Sequence, residues 1–449
     1  MLNNKAKQLI DFVTRTRIYR GSDRVFDAGT IIINQKYFWI IVVMAFVATA
    51  LSFLDRQVLS ISIIKIKQEL SISDVQYGFI NSGFLVGYAI MFTVSGILID
   101  RFGGRLGLAL SVGLWSFATA LHSLANNVVQ FGAFRFLLGV GEGGAFPGAV
   151  KTVKEWVPKE SQALANGIAI GGAALGAVIA PPLCVYMINV TGWRGVFIIT
   201  SIIGFVWVLV WLILTRRKNN YPENLKSPGN LNAEKNASPK IERKKTNFSK
   251  LLKIKEVWVF IFMRFLLDPI LYFYMFWIPK YLNETRSVNI VLIGKLFWMP
   301  FLAMGVSNML GGWMSDSLFI LTKNLNKARK IIMGAAALLM LPVLFVKFAP
   351  SPEFVIMIMC VAFFAHGLWI TNYITSIGDV FGHSMTSTVV GLSGTAGAIS
   401  ALIINPVIGL IITNFSYNPM WIYAGAMYLI AFIGFIIFIP EIKLYKDYA

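Results

Sequence analysis

Arg135 and Glu142 lie seven residues apart in the run Phe134-Arg-Phe-Leu-Leu-Gly-Val-Gly-Glu-Gly-Gly-Ala-Phe-Pro147, where every other residue is apolar or glycine. In a helix, two turns separate them by about 10 Å along the axis and return them to nearly one face. An ionised group at the centre of a membrane helix costs roughly 3 kcal/mol on insertion scales. Two on one stripe therefore point to use. Arginine keeps its proton and offers a bidentate fork to a carboxylate. A buried glutamate can take up and release a proton, because burial and a neighbouring charge move its affinity. The pair reads as a substrate anchor with a proton switch. The structural alternatives are an Arg135 that caps a carbonyl or snorkels to the interface, and a Glu142 permanently paired for folding.

Other residues could take part. Asp55-Arg56 is expected to close the first helix, either as a second proton site beside a second substrate contact or as an interfacial anchor. Tyr88 can donate a phenolic hydrogen bond or simply pack. Arg264 and Asp268 stand at i, i+4, a spacing that lets them pair with each other or leaves Arg264 for substrate. Asp268-Pro269 is expected to break its helix, which is tolerated where freed carbonyls line a cavity. His366, Trp369, Thr371, Asn372 and Tyr373 cluster near residue 370. Trp369 and Asn372 are suited to stacking a ligand ring and bonding hydroxyls, and Asn405 is a further polar candidate.

The elements that must position these residues follow from composition. Of 449 residues, 57% are hydrophobic and 14% charged, against about 45–50% and 25% in soluble domains. This is the composition of an all-α membrane protein. Apolar runs of about 20 residues give twelve expected transmembrane helices. They start near Tyr37, Tyr77, Leu106, Val129, Ala163 and Gly195, then near Val257, Ile290, Lys330, Glu353, Ser387 and Pro419. The expected organisation is an N-terminal segment (1–36), a six-helix bundle (37–214), a polar linker (215–256), a second six-helix bundle (257–438) and a tail (439–449). No cleavable signal is expected, since residues 1–36 are too polar.

The formal charge of +19 is concentrated in alternate loops, which carry Arg101 and Arg105, then Lys151, Lys154 and Lys159, then the linker, then Lys323, Lys327, Arg329 and Lys330. Basic loops face the cytoplasm, so both termini are expected there. The charge is thus topology, with anionic lipid as an expected partner and no nucleic acid. Cys184 and Cys360 define neither a disulfide framework nor a metal site. Gly139-Val-Gly-Glu-Gly-Gly144 fits the dinucleotide pattern G-x-G-x-x-G, but that motif needs a preceding strand; helix packing is the better account. No P-loop, cofactor, metal or nucleophile–base constellation is expected, and hence no enzyme.

The halves repeat weakly. Gly96-Ile-Leu-Ile-Asp100-Arg101-Phe-Gly103-Gly-Arg105 follows the second expected helix, and Gly311-Gly-Trp-Met-Ser-Asp316 the eighth. The residues Gly96, Asp100, Arg101, Gly103 and Arg105 resemble the signature loop of the major facilitator superfamily, with Asp316 at the matching place in the second half. The six-plus-six plan resembles that superfamily over essentially the whole chain. Asp55-Arg56, Arg135 with Glu142, and Trp156-Val-Pro-Lys-Glu160-Ser resemble its anion:cation symporter branch, which holds sugar-acid permeases and vesicular and sialate organic-anion carriers. Ile179-Ala-Pro-Pro-Leu183, Arg264-Phe-Leu-Leu-Asp268-Pro269, Ala328-Arg-Lys330 and Gly378-Asp379-Val-Phe381-Gly382 resemble bacterial hexuronate permeases.

The resemblance implies two pseudo-symmetric bundles rocking about a midplane site and proton-coupled import of a carboxylated sugar. Arg135 would hold the carboxylate, Asp55 and Glu142 the protons. Gly171-Gly-Ala-Ala174 stands where some aldonate carriers present a glutamine, so hydroxyl readout falls to other helices. The expected protein is a monomeric symporter of the bacterial inner membrane for a hexuronate such as galacturonate or glucuronate. The alternatives are another organic anion (aldonate, glucarate, phthalate or sialate) and a non-transporting sensor on the same fold.

Overall fold

The computed structural model describes residues 28–157, 161–216 and 251–444. Most of the expected N-terminal segment and linker, the end of the tail, and Lys159 and Glu160 of the motif after Trp156 lie outside these residues. Every described element is helical: α1 Ala28–Leu70, α2 Asp74–His122, α3 Val128–Glu142, α4 Ala145–Trp156, α5 Gln162–Leu214, α6 Lys255–Arg286, α7 Ile290–Leu296, α8 Trp298–Thr322, α9 Leu325–Leu339, a 3-10 turn Leu341–Phe348, α10 Pro352–Asn414 and α11 Asn418–Phe438. Polar side chains start them. Ser73 and Gln76 form a reciprocal capping box on α2, and Asn127, Asn289, Asn324 and Ser351 accept from the first free N–H groups of α3, α7, α9 and α10.

Among the described residues, nine stretches are long and apolar enough to cross a membrane. One of them, Ala165–Leu214, has 50 residues, about 75 Å if straight against a hydrocarbon core of about 30 Å. Gly192 turns it at φ 73°, ψ 174°, a region essentially restricted to glycine. Gly103 and Gly382 turn α2 and α10 the same way. The side chains left outside are apolar, such as Leu110, Ile213 and Trp313, as a helix facing lipid requires.

Three expectations need correcting. Asp55-Arg56 does not close a helix. Val58, Leu59, Ile61, Ile63, Ile64 and Ile66 are buried and carry α1 on to Leu70, so the pair sits mid-helix. Lys65 and Lys67 ride on the same helix. Asp268-Pro269 does not break α6, which continues to Arg286. Proline removes the N–H that would bond the carbonyl four residues back, and Ser400 supplies that bond by donating to the Phe265 carbonyl. Pro406 in α10 is relieved likewise: Ser82 donates to the Leu402 carbonyl at 2.8 Å. Finally, the expected fourth helix is broken at Gly143-Gly144 into α3 and α4.

Contacts join the two halves at the end away from the basic loops. Tyr77 donates to the Phe276 carbonyl at 2.7 Å, and the Ser82–Leu402 bond also crosses. The first arm of α2 (74–102) packs there against the last stretch of α10, backbone to backbone at Gly78 and Gly409.

Candidate functional site

The site is built where α1, the first arm of α2, and α3 meet. Glycine lets α2 and α3 approach: a Cβ at Gly139 would collide with the backbone of Phe84 and Tyr88, and one at Gly87 with that of Phe136. The glycines that mimic a nucleotide motif therefore serve packing up to Gly141, while Gly143 and Gly144 end the helix.

On this seam α1 presents Ser52, with Asp55 three and Arg56 four residues further on. Arg56 Nη2 donates to Glu142 Oε2 at 2.8 Å and Nε to the same oxygen at 3.2 Å, with Ser52 Oγ donating to it at 3.1 Å. The other oxygen, Oε1, is buried without a partner. Three rings surround the Arg56 guanidinium, with Phe53 at 4.5 Å and Phe84 and Tyr88 at 4.9 Å. Ring faces stabilise a cation held out of water. Glu142 thus finds its cation on α1, not on its own helix.

Arg135 is then left over. It is 1% exposed and lies 5.8 Å from the centroid of the Phe84 ring; among the described residues its guanidinium donates only to the Arg56 carbonyl, at 3.5 Å from Nη2, and Nε and Nη1 have no hydrogen-bond partner. Its burial rules out snorkelling. By contrast, Arg286 donates to the Tyr281 hydroxyl and three carbonyls. A buried guanidinium short of acceptors is costly unless an anion fills the fork, so Arg135 is the natural acceptor-seeking group. Asp55, also buried, keeps Oδ1 unpartnered and lies within electrostatic reach of Arg135, beside Thr200 and Trp115.

The other expected residues have partners elsewhere. Arg264 Nε bonds Asp268 at 2.7 and 2.8 Å to its two oxygens, the mutual pairing allowed by their spacing. Trp369 packs edge-on to Tyr428 at 5.4 Å, and Tyr428 also bonds His366 at 2.6 Å. Asn372 donates to the carbonyls of Gly311 and Leu368 and keeps Oδ1 buried and unmatched. Asn405 accepts from Trp277 at 3.1 Å and donates to Ala401. Residues that sequence reasoning missed include Ser52 and Phe84, and also Tyr272, which lies in the fields of Arg56, Tyr88, Asp268 and Arg264. The i, i+4 spacing of Ser52 to Arg56, and of Asp268 to Tyr272, carried that signal.

In the signature loop, Gly103 is the turn, and the Gly104 N–H donates to Glu155 at 2.9 Å. Gly96 has open space around it, Arg101 is exposed, and Arg105 bonds Thr215 at 3.0 Å and the Leu212 carbonyl. The side chain of Asp100 lies outside what is described. In the second half, Asp316 pairs with Arg329 at 3.2 Å, which also holds Asp379 at 3.0 Å and Ser315 at 2.6 Å. Arg329 so ties together three separate sequence motifs.

The chain is similar to known transporters. It is 27% identical over 387 residues to the hexuronate transporter of Escherichia coli, covering 85% of this chain and 89% of that one. Over 421 residues it is 27% identical to a probable galactarate/D-glucarate transporter, GudP, of Bacillus subtilis, covering 90% and 92%. In fold it resembles the crystal structure of a D-xylose-proton symporter, with TM-score 0.71, 14% identity and coverage of 91% and 99%. It also resembles an inward-facing, occupied bacterial homologue of the human lysosomal transporter Spinster, with TM-score 0.68, 17% identity and coverage of 90% and 95%. The family model described as Major Facilitator Superfamily matches residues 45–405, a span that takes in Arg56, Arg135 and Glu142 as well as Arg264 and Arg329. A multi-pass helical chain with its charges gathered on facing helices, and with that match, belongs to the major facilitator superfamily and is a membrane transporter, not an enzyme.

Proposed function

We propose that this transporter imports a carboxylated sugar of the hexuronate class together with a proton, by alternating access of two bundles, 37–214 and 257–438. The basic loops and both termini would face the cytoplasm of a bacterial inner membrane. The observation that carries the reading is the buried, acceptor-poor fork of Arg135. A sugar carboxylate supplies the missing acceptor, and the similarity to a hexuronate transporter supports that class of anion.

Charge balance supports proton coupling. Arg56 and Arg135 face Asp55 and Glu142, two charges of each sign in a site out of water. An incoming carboxylate leaves one negative charge unbalanced, and burying such a charge is expensive. Protonating one carboxyl restores neutrality, so anion and proton travel together. Glu142 already spends one oxygen on Arg56 and Ser52 and keeps the other free, which suits a group that must alternately accept a proton and a guanidinium.

A route inward is also supported. Phe53, beneath Arg56, meets Phe146 edge-on at 6.1 Å, and Phe146 borders a 430 Å³ hollow shared with Gly96, Lys151 and Lys154. Its lysines suit a departing anion.

Counterflow in proteoliposomes tests the reading. Labelled galacturonate or glucuronate should exchange, more slowly with galactarate or an aldonate as the counter-substrate. Preferred exchange of galactarate would favour the hexarate reading, which the similarity to a probable galactarate/D-glucarate transporter supports. Binding without exchange would leave a sensor.

A further inference from the structure

Four charged side chains close a ring between the two halves at the end away from the basic loops. Lys67 Nζ donates to Asp74 Oδ1 at 2.8 Å and to Glu284 Oε1 at 2.7 Å. Lys280 Nζ meets the same Asp74 oxygen at 2.8 Å, the other Glu284 oxygen, and the Tyr417 hydroxyl at 3.2 Å. Each lysine touches both carboxylates, and each carboxylate touches both lysines. Lys67 and Asp74 belong to α1 and α2, Lys280 and Glu284 to α6. Two contacts of the ring are therefore internal to a half, and two, Lys67–Glu284 and Asp74–Lys280, cross between halves.

We propose that this ring is a latch built to part into two neutral pairs, Lys67 with Asp74 and Lys280 with Glu284, when the halves separate at this end. The inference rests on the alternating-access reading above. A lone ion pair across a gate would leave two uncompensated charges whenever it opened, one of them on Lys280, whose side chain is 1% exposed. In the ring, opening breaks only the crossing contacts, and every charge keeps a partner. The geometry favours this division. Lys280 and Glu284 stand at i, i+4 on one helix, a natural pairing register. Lys67 and Asp74 flank the tight connection between α1 and α2, whose start is fixed by the capping box of Ser73. Trp277 and Tyr417, with ring centroids 5.7 and 5.6 Å from Lys280 Nζ, hold that lysine to its own half. A 240 Å³ hollow bordered by Lys67, Gln68, Lys280 and Glu284 gives water a way to the parted pairs.

Exchanging charges within one half tests the division. Lys280→Glu with Glu284→Lys preserves the internal pair of the second half but sets like charges across the gate, lysine facing Lys67 and glutamate facing Asp74. Adding Lys67→Glu and Asp74→Lys restores alternation. Spin labels at Leu124→Cys and Phe348→Cys, both exposed and one in each half, report the separation by double electron–electron resonance, after replacing Cys184 and Cys360 by alanine. The two-residue exchange should move the distance distribution to longer values, and the four-residue exchange should return it to that of the parent. If the two-residue exchange leaves the distribution unchanged, or a folded four-residue variant stays long, the latch is wrong. Should the exchanged chains not fold, two milder pairs decide. Lys67→Met with Asp74→Asn removes both crossing ion pairs of the ring and should lengthen the distance. Lys67→Met with Glu284→Gln, with the same loss of charge, keeps Asp74–Lys280 and should leave it short. Equal distances in the two overturn the proposal. The readout needs no substrate, so an incorrect sugar-acid assignment would show in counterflow and leave these distances untouched.

Discussion

In the proposed mechanism, Arg135 and Glu142 divide the work of the site by what each lacks. Arg135 wants acceptors, whereas Glu142 holds one cation and has one oxygen to spare. Arg135→Lys keeps the charge but gives up the planar fork. A hydrogen bond to a charged group contributes about 1.5–3 kcal/mol, so losing one arm should weaken sugar-acid binding about ten- to a hundredfold in titration calorimetry. Undiminished affinity would make Arg135 a structural residue. Glu142→Gln removes the proton site while retaining an acceptor for Arg56. Exchange at equal pH should persist in that variant. Accumulation driven by an acidic exterior should vanish, because the anion no longer moves with a titrating partner; normal pH-driven uptake would take Glu142 out of the coupling. Both residues were legible in sequence because an ionised group in an apolar run has an obvious cost. The partner of Glu142 was not. Glu142 bonds Arg56 from another helix, and that depends on how α1 and α3 are rotated about their axes.

Elements were legible where the chain obeys its apolar period and obscured where it bends or carries charge. Lys65, Lys67 and Glu69 hid the last part of α1, although Ile66 among them, and Val58, Leu59, Ile61 and Ile63 before them, are fully buried. Pro269 suggested a break because its missing N–H is visible in sequence, whereas the hydroxyl that compensates comes from Ser400, on a helix 131 residues downstream. This compensation is measurable. Ser400→Ala should lower stability by about 1 kcal/mol, the net contribution of a typical hydrogen bond, as a fall in the thermal midpoint. In a Pro269→Ala background the backbone bond is restored, and the same change should cost close to nothing. Equal losses in both backgrounds would mean that Ser400 stabilises by packing and not by serving the Phe265 carbonyl.

At the scale of the molecule, an alternating carrier must pack two halves tightly at one end without sealing them for good. At the end away from the basic loops the close packing is between backbones. A Cβ at Gly409 would sit 2.5 Å from the Asp74 carbonyl oxygen and 2.7 Å from Val75 Cα, leaving no flexible side chain to yield. This seam was not legible in sequence, since Gly409 is one of many glycines in apolar runs and only the approach of α2 singles it out. Gly409→Leu should therefore act as a wedge. With closure at that end blocked, the halves rest apart there, the site stays reachable from that side, and the cycle stops before release at the other. The expected signature is a sugar acid that still raises the melting temperature of the variant, since binding to the native state stabilises it, together with loss of counterflow. Gly434→Leu, at a position with open space around it, should leave both intact. If Gly409→Leu exchanges substrate at the parent rate, the seam at Asp74 does not need to close for transport, and the end bearing the basic loops must carry the alternation by itself.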